Sequence, residues 1–229
     1  MAERTAVIIG ARGGIGAALA DALETGVEYD RVVRLHRESA PSIDILDEAS
    51  IAAAASDLAD TAPQLVIVAT GLLHTDTKGP EKSLRELDPD WMIQNYRINA
   101  VGPALVAKHF LPIMARQGPI CFAALSARVG SISDNRLGGW HSYRASKTAL
   151  NMFLRNVAIE WQRKNAQSVV VGLHPGTVET QLSAPFKGNP AHERFAPARA
   201  AADMLSVLAG LKPEQSGQIF AYDGSLIAP

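Results

Sequence analysis

Ala6-Val7-Ile8-Ile9 is a short unbroken apolar run, and it leads straight into Gly10-Ala11-Arg12-Gly13-Gly14-Ile15-Gly16. Residues 17–23, Ala-Ala-Leu-Ala-Asp-Ala-Leu, then have strong helical preference. A run of this kind marks a strand buried on both faces, which belongs in a parallel sheet. Strand, glycine turn and helix in that order form the setting of a phosphate-binding loop. Glycine permits positive φ and close approach of the backbone, and the free N–H groups at the helix start face negative charge. The spacing is Gly-x-x-x-Gly-x-Gly, not the commoner Gly-x-Gly-x-x-Gly, so a tight glycine-rich turn is the bland alternative.

The same alternation continues along the chain. Apolar runs at residues 32–35, 65–69, 119–125, 168–173 and 219–222 predict strands, and Ile43-Asp44-Ile45 a very short one. Between them helices are expected at about 48–59, with Asp47 as N-cap, at 89–115 and 198–211, and across Tyr143 and Lys147 to about residue 164. No linker interrupts the pattern. It predicts a single α/β domain over residues 1–229: a doubly wound, mostly parallel seven-stranded sheet with helices on both faces.

Charge narrows the partners. With 22 basic and 23 acidic residues and a net charge of -1, a nucleic-acid or anionic-membrane partner is not expected. One cysteine, Cys121, in an apolar run, excludes an internal disulfide framework and reads as a small core residue. No signal peptide or membrane-length apolar run is visible, which implies a cytoplasmic protein. The six histidines (His36, His74, His109, His141, His174 and His192) lack metal-ligand spacing, so no metal is expected.

Two further stretches carry chemistry. In a doubly wound sheet the tip of the second strand lies beside the adenosine ribose, where an arginine suits a 2′-phosphate. Arg37 stands just beyond Val32-Val33-Arg34-Leu35, and Arg12 lies in the glycine loop, which favours NADP(H) over NAD(H). Arg37 as a solvated loop charge is the alternative. Tyr143 and Lys147 are four apart on a predicted helix and so share a face. An ammonium one turn away would bring a phenol down from its usual pKa of about 10, making an acid–base device. The spacing alone is common by chance.

Taken together, Gly10-x-x-x-Gly14-Ile15-Gly16, Asp44-Ile45, Asn99-Ala100-Val101-Gly102-Pro103, Tyr143-x-x-x-Lys147, Pro175-Gly176 and Thr180 resemble the short-chain dehydrogenase/reductase family over nearly the whole chain. The chain is most similar to the group of sniffer-type carbonyl reductases and C-factor, through residues 130–135, 143–147 and 222–224. The resemblance implies an NADP(H)-dependent oxidoreductase, with NAD(H) possible, acting on a small carbonyl or alcohol. Tyr143 would be the general acid/base, and Lys147 would hold the nicotinamide ribose and lower the pKa of Tyr143. Asn99 would interrupt its helix and hold a water linking Lys147 to solvent, or else pair its amide with nearby backbone. Asp44, with Ile45, would meet the adenine, or Asp44 would serve as a turn acceptor. Gly10, Gly13, Gly14, Ile15, Gly16, Ala69, Thr70, Gly71, Pro175, Gly176, Val178 and Thr180 would complete the cofactor site. A homodimer or homotetramer, packed through the helices bearing Asn99 and Tyr143, is also implied.

Two departures stand out. Val68-Ala69-Thr70-Gly71 replaces the family's Asn-Asn-Ala-Gly, a mostly architectural motif. Anchored on Ser-x-x-Gly, the family's substrate-binding serine falls on Ala127. Ser126 and Ser131 are the candidate replacements, although adjacent residues of a strand face opposite ways. This departure keeps a second reading open, a cofactor-binding regulatory or signalling protein with weak or no turnover. Trp140, Phe186 and Phe195 are expected to wall the substrate or pack the loop, His141 to border it or lie in an exposed loop, and residues 177–197 to form a lid.

Overall fold

The computed structural model describes residues 3–186 and 194–229. Six strands form one sheet: β1 (Thr5–Ile9), β2 (Arg31–Leu35), β3 (Leu65–Val68), β4 (Ile120–Leu125), β5 (Ser168–His174) and β6 (Ile219–Ala221). Their order is β2-β1-β3-β4-β5-β6, and every neighbouring pair is parallel. The helices are α1 (Gly14–Thr25), α2 (Glu48–Asp57), α3 (Pro89–Tyr96), α4 (Gly102–Phe110), α5 (His141–Gln162) and α6 (Pro197–Gly210).

Six strands among the described residues correct the expected seven, because residues 43–45 do not join the sheet. Their polar groups are committed locally. The Ile43 amide donates to the His36 carbonyl, while Ser50 Oγ accepts from the Asp44 amide and donates to its carbonyl. Ile43 is nonetheless buried, so its apolar side chain serves the core without a ladder.

The strands divide their side chains between two layers with a period of two. Val7, Ile9, Val66, Val68, Phe122, Ala124 and Val170 pack on one face with residues of α2, α4 and α5. Ala6, Ile8, Leu65, Ile67, Ala123, Leu125, Val169 and Val171 pack on the other with α1 and α6. Both faces of the sheet are covered, which explains why its strands read as continuous apolar runs and not as alternating ones.

The order in which strands are added reverses at β1, with β2 on one side and β3 on the other. The crevice at the carboxyl ends of β1 and β3 is thus the switch point, where doubly wound folds bind ligands. Asp47 caps α2 as expected, its side chain accepting from the Ala49 amide at 3.0 Å.

The single helix expected over 89–115 is α3 and α4 joined by a π-helical turn, Arg97–Val101. Pro103 supplies the reason. It has no N–H to give the carbonyl of Asn99, and its ring would clash with that carbonyl in a regular helix. The helix widens instead, as such turns do at functional sites.

Candidate active site

The glycine turn sits in the switch-point crevice. Gly10 has φ +85°, and a β-carbon there would lie 3.0 Å from Thr70 Cγ2. At Gly16 a β-carbon would stand 2.3 Å from the Gly10 carbonyl oxygen, so the loop closes only with glycine there. Gly13 precedes α1 with no side-chain cap, and the first turn carries no acidic residue. The first-turn amides therefore face the crevice without a local anion. Thr70 Oγ1 is buried and has no hydrogen-bond partner among the described residues. Uncapped amides, close-approach glycines and an orphaned hydroxyl fit a pyrophosphate-bearing cofactor.

The segment after β5 folds back onto this turn. Gly176 takes φ +76° beneath Phe195 and Tyr222, and Val178 is buried and bridges to Phe195. Thr180 comes so close to α1 that a β-carbon on Gly14 would meet its methyl at 2.9 Å. Thr180 is thereby brought to the start of α1, and Pro175, Gly176 and Val178 precede it in the same segment. Residues 187–193, part of the expected lid and including His192, lie outside the described residues.

At the ribose end, Arg12 pairs with Glu38, both side chains about two-thirds exposed. Arg37 is exposed beside them. Glu38 carries no local signal in the sequence that marks it as a partner for a residue 26 positions earlier. Asp44 accepts the Leu46 amide through Oδ1 at 2.9 Å, the turn role held open as the alternative. Ile45 touches Gly102 so closely that a β-carbon there would lie 2.3 Å from Ile45 Cγ1.

The acid–base pair lies on α5. Tyr143 and Lys147 are both buried, and Lys147 Nζ stands 5.8 Å from the centre of the Tyr143 ring. Lys147 Nζ donates to the Leu125 carbonyl at 2.7 Å. Asn99, in the π turn, binds Leu72 at both backbone groups, each at 2.8 Å, and donates to Ser146 Oγ at 3.0 Å. Its amide is therefore paired with backbone, the other alternative left open. A β-carbon on Gly71 would lie 3.6 Å from Asn99 Oδ1 and 3.8 Å from Lys147 Nζ. Gly71, Asn99 and Lys147 therefore meet at one point, and the bare glycine leaves room beside the lysine.

Electrostatics run opposite to the expectation for the tyrosine. Burial pushes the Tyr143 phenol up to about 12, and the same burial brings the Lys147 ammonium down to about 7. The low-dielectric pocket disfavours both charged forms, and this outweighs any help from the cation to the phenolate. The Tyr143 phenol consequently keeps its proton at neutral pH.

Tyr143 forms a small apolar cluster with Leu73 and Ala127, backed by Val129, Trp140, Leu182 and Phe186. Trp140 lies 6.3 Å from the Tyr143 ring and 5.1 Å from Phe186. Phe195 instead packs on Tyr222 at 4.5 Å, away from this wall, and His141 is the half-buried first residue of α5. A methyl group, Ala127, thus joins the cluster around Tyr143 at the position where the family resemblance implies a serine. Ser126 Oγ donates to Asn151 Oδ1 at 2.6 Å, two helical turns along α5, and Ser131 donates to the Pro229 carbonyl at 3.3 Å. Both candidate hydroxyls are committed elsewhere. Among the described residues no group of three or more metal-ligating side chains converges.

A family profile described as Enoyl-(Acyl carrier protein) reductase matches residues 7–214. The chain is 32% identical to the 1-hydroxy-2-glutathionyl-2-methyl-3-butene dehydrogenase of Rhodococcus sp. (strain AD45), over 82% of this chain and 78% of that one. It is 36% identical to the C-signal of Myxococcus xanthus, over 62% of this chain and 81% of that one. Among solved structures, the carbonyl reductase Sniffer of D. melanogaster superimposes with a TM-score of 0.84 at 19% identity, covering 100% of both chains. The NADPH-bound carbonyl reductase from chicken fatty liver does so with a TM-score of 0.83 at 23% identity, covering 100% of this chain and 95% of that one. Profile, relatives, glycine turn and Tyr143–Lys147 pair agree: the chain belongs to the short-chain dehydrogenase/reductase family of oxidoreductases.

Proposed function

We propose that this chain is an NADP(H)-dependent oxidoreductase acting on a small carbonyl or secondary alcohol, with Tyr143 as the general acid of the reduction. The observation that carries it is the meeting of Lys147, Asn99 and Gly71 beside Tyr143, in the crevice that also holds the glycine turn. When bound, the nicotinamide cofactor would give or accept the hydride. Gly10, Gly13, Gly14, Ile15 and Gly16 would hold its pyrophosphate, and Asp44 and Ile45 would flank the adenine. Ala69, Thr70, Gly71, Pro175, Gly176, Val178 and Thr180 would line the remainder.

The chain's own residues do the proton chemistry. At neutral pH Tyr143 holds its proton, since burial keeps its pKa near 12. As the substrate carbonyl oxygen gains negative charge, the Tyr143 O–H bond breaks and the proton passes to that oxygen. The phenolate left behind lies next to Lys147, whose pKa of about 7 lets it carry a compensating charge near neutrality. Asn99 fixes the backbone at Leu72 and, through Ser146, the first turns of α5. NADP(H) is favoured over NAD(H) by Arg37, exposed and without a carboxylate partner among the described residues, and by Arg12, whose exposed pair with Glu38 is weak and exchangeable. The named relatives include a dehydrogenase and an NADPH-bound carbonyl reductase, in keeping with this choice.

The test is oxidation of NADPH by purified protein across a panel of ketones and aldehydes, with Tyr143→Phe beside it. The variant is expected to lose about a hundred- to ten-thousand-fold in turnover while still binding NADPH. Full turnover in Tyr143→Phe would reject the mechanism.

A second reading, a cofactor-binding signalling protein with little turnover, draws on Ala127 and on the similarity to C-signal. Tight NADPH binding with no turnover on the whole panel would select it. We place the protein in the cytoplasm as a homodimer or homotetramer. No helix among the described residues is long and apolar enough to cross a membrane, and apolar side chains stand exposed on α3 and α5.

A further inference from the structure

We propose that Glu81 is a positioning residue for Tyr143, a remote carboxylate that caps the helix carrying the acid. The inference rests on the functional reading above. α5 starts without a local cap: Trp140 precedes it at φ +51°, in the left-handed region, and makes no side-chain capping bond. The first N–H groups of a helix lack partners within it, and an uncapped first turn frays. Tyr143 lies in that first turn, so its phenol is only as well placed as the turn itself.

Glu81 supplies the missing acceptors from 61 residues away. Its Oε2 accepts the Ser142 amide at 3.2 Å, and its Oε1 accepts the Ser142 hydroxyl. Its backbone carbonyl takes the Trp140 amide at 2.5 Å. One residue therefore grips both sides of His141 and holds Trp140, whose ring packs on Tyr143. Glu81 is 1% exposed and has no salt-bridge partner among the described residues. A buried carboxylate without a cation is costly unless its oxygens are hydrogen-bonded and helped by the positive end of a helix. The start of α5 provides both.

The same loop is fastened at its other end. Leu72 is bound by Asn99, and Leu73 packs against Tyr143. Residues 72–81 therefore run from one contact with the acid's surroundings to another. Glu81 closes this clamp, and its function is to keep the Tyr143 hydroxyl in register with the bound carbonyl.

Glu81→Ala and the near-isosteric Glu81→Gln test this in the full-length protein. Hydrogen exchange of the amides of residues 141–146 is read together with kcat, substrate KM and the Kd for NADPH. In Glu81→Ala the first-turn amides are expected to exchange at least tenfold faster, while the middle of α5 is unchanged. kcat falls tenfold to a hundredfold with the NADPH Kd unaltered, as expected for a misplaced acid. Glu81→Gln, which keeps one acceptor oxygen, recovers part of both losses. Wild-type kcat in a folded variant, wild-type exchange in the first turn, or equal loss of NADPH binding and turnover would each overturn the proposal. Should Glu81→Ala not fold, Glu81→Gln decides by the same readouts. A wild-type protein without turnover would fail the functional reading instead, and the exchange measurement would then decide the capping role alone.

Discussion

Lys147 shows how one side chain ties stability to chemistry. Its pKa is about 7 in the folded protein against 10.5 in an unfolded chain, because burial disfavours the ammonium. Between those values the unfolded state holds a proton that the folded state lacks, so stability rises with pH across that window. The destabilisation is largest at and below pH 7 and vanishes above pH 10.5. Lys147→Met is accordingly expected to stabilise the protein at pH 7, by roughly 1–3 kcal/mol. The gain shrinks towards alkaline pH, and turnover is lost. Urea melts of both proteins at pH 7 and pH 10 check the sign, and a destabilised variant at pH 7 would contradict it. Ala127 offers the complementary test. Its methyl contacts the Tyr143 cluster where a hydroxyl could support the substrate oxygen, and a missing donor of that kind can cost about a hundredfold. Ala127→Ser is expected to raise kcat at least severalfold on a carbonyl the wild type already accepts. Unchanged kcat would mean that the oxygen does not rest there.

At the scale of elements, the glycine turn and the π turn are local solutions to crowding. Gly16, in the first turn of α1, lies against the carbonyl of Gly10, and a β-carbon would sit 2.3 Å from that oxygen. The turn must open to accept it, and backbone gives way less readily than a side chain. Gly16→Ala is expected to destabilise by about 1–3 kcal/mol and to weaken NADPH binding at least tenfold. Thermal melts and cofactor titration measure the two effects separately. The π turn has a comparable logic. Pro103 forces the helix to widen across Asn99, and the widened turn lets the amide reach Leu72 and Ser146 together. A proline that looks like a defect in the helical pattern thus shapes the floor of the site.

For the molecule as a whole, exposed apolar side chains line α3 and α5. Met92, Ile93 and Tyr96 stand exposed on α3, and Ala145, Met152 and Ile159 recur every seven residues along α5. Between the helices runs a groove of about 270 Å³ with a mostly apolar lining. Exposed apolar stripes of this continuity suit pairing with a second copy. Light scattering is expected to give a dimer or tetramer. Met152→Glu should shift it towards monomer, and a wild-type monomer would contradict the assembly.

Much of the architecture is legible in one dimension. Buried parallel strands need unbroken apolar runs, helices show their caps and preferences, and a phosphate loop needs glycines between the two, so these features are written locally. That is why β1, the glycine turn, the Asp47 cap and the Tyr143–Lys147 face could be read without coordinates. The remainder depends on groups distant in the chain. Whether residues 43–45 pair depends on where Ser50 and His36 lie, and which side chain faces Tyr143 depends on how β4 and α5 meet. The carboxylate of Glu81 finds its helix only after folding. The direction in which the phenol's acidity moves is likewise set by burial, a property of the packed molecule that no spacing of residues expresses.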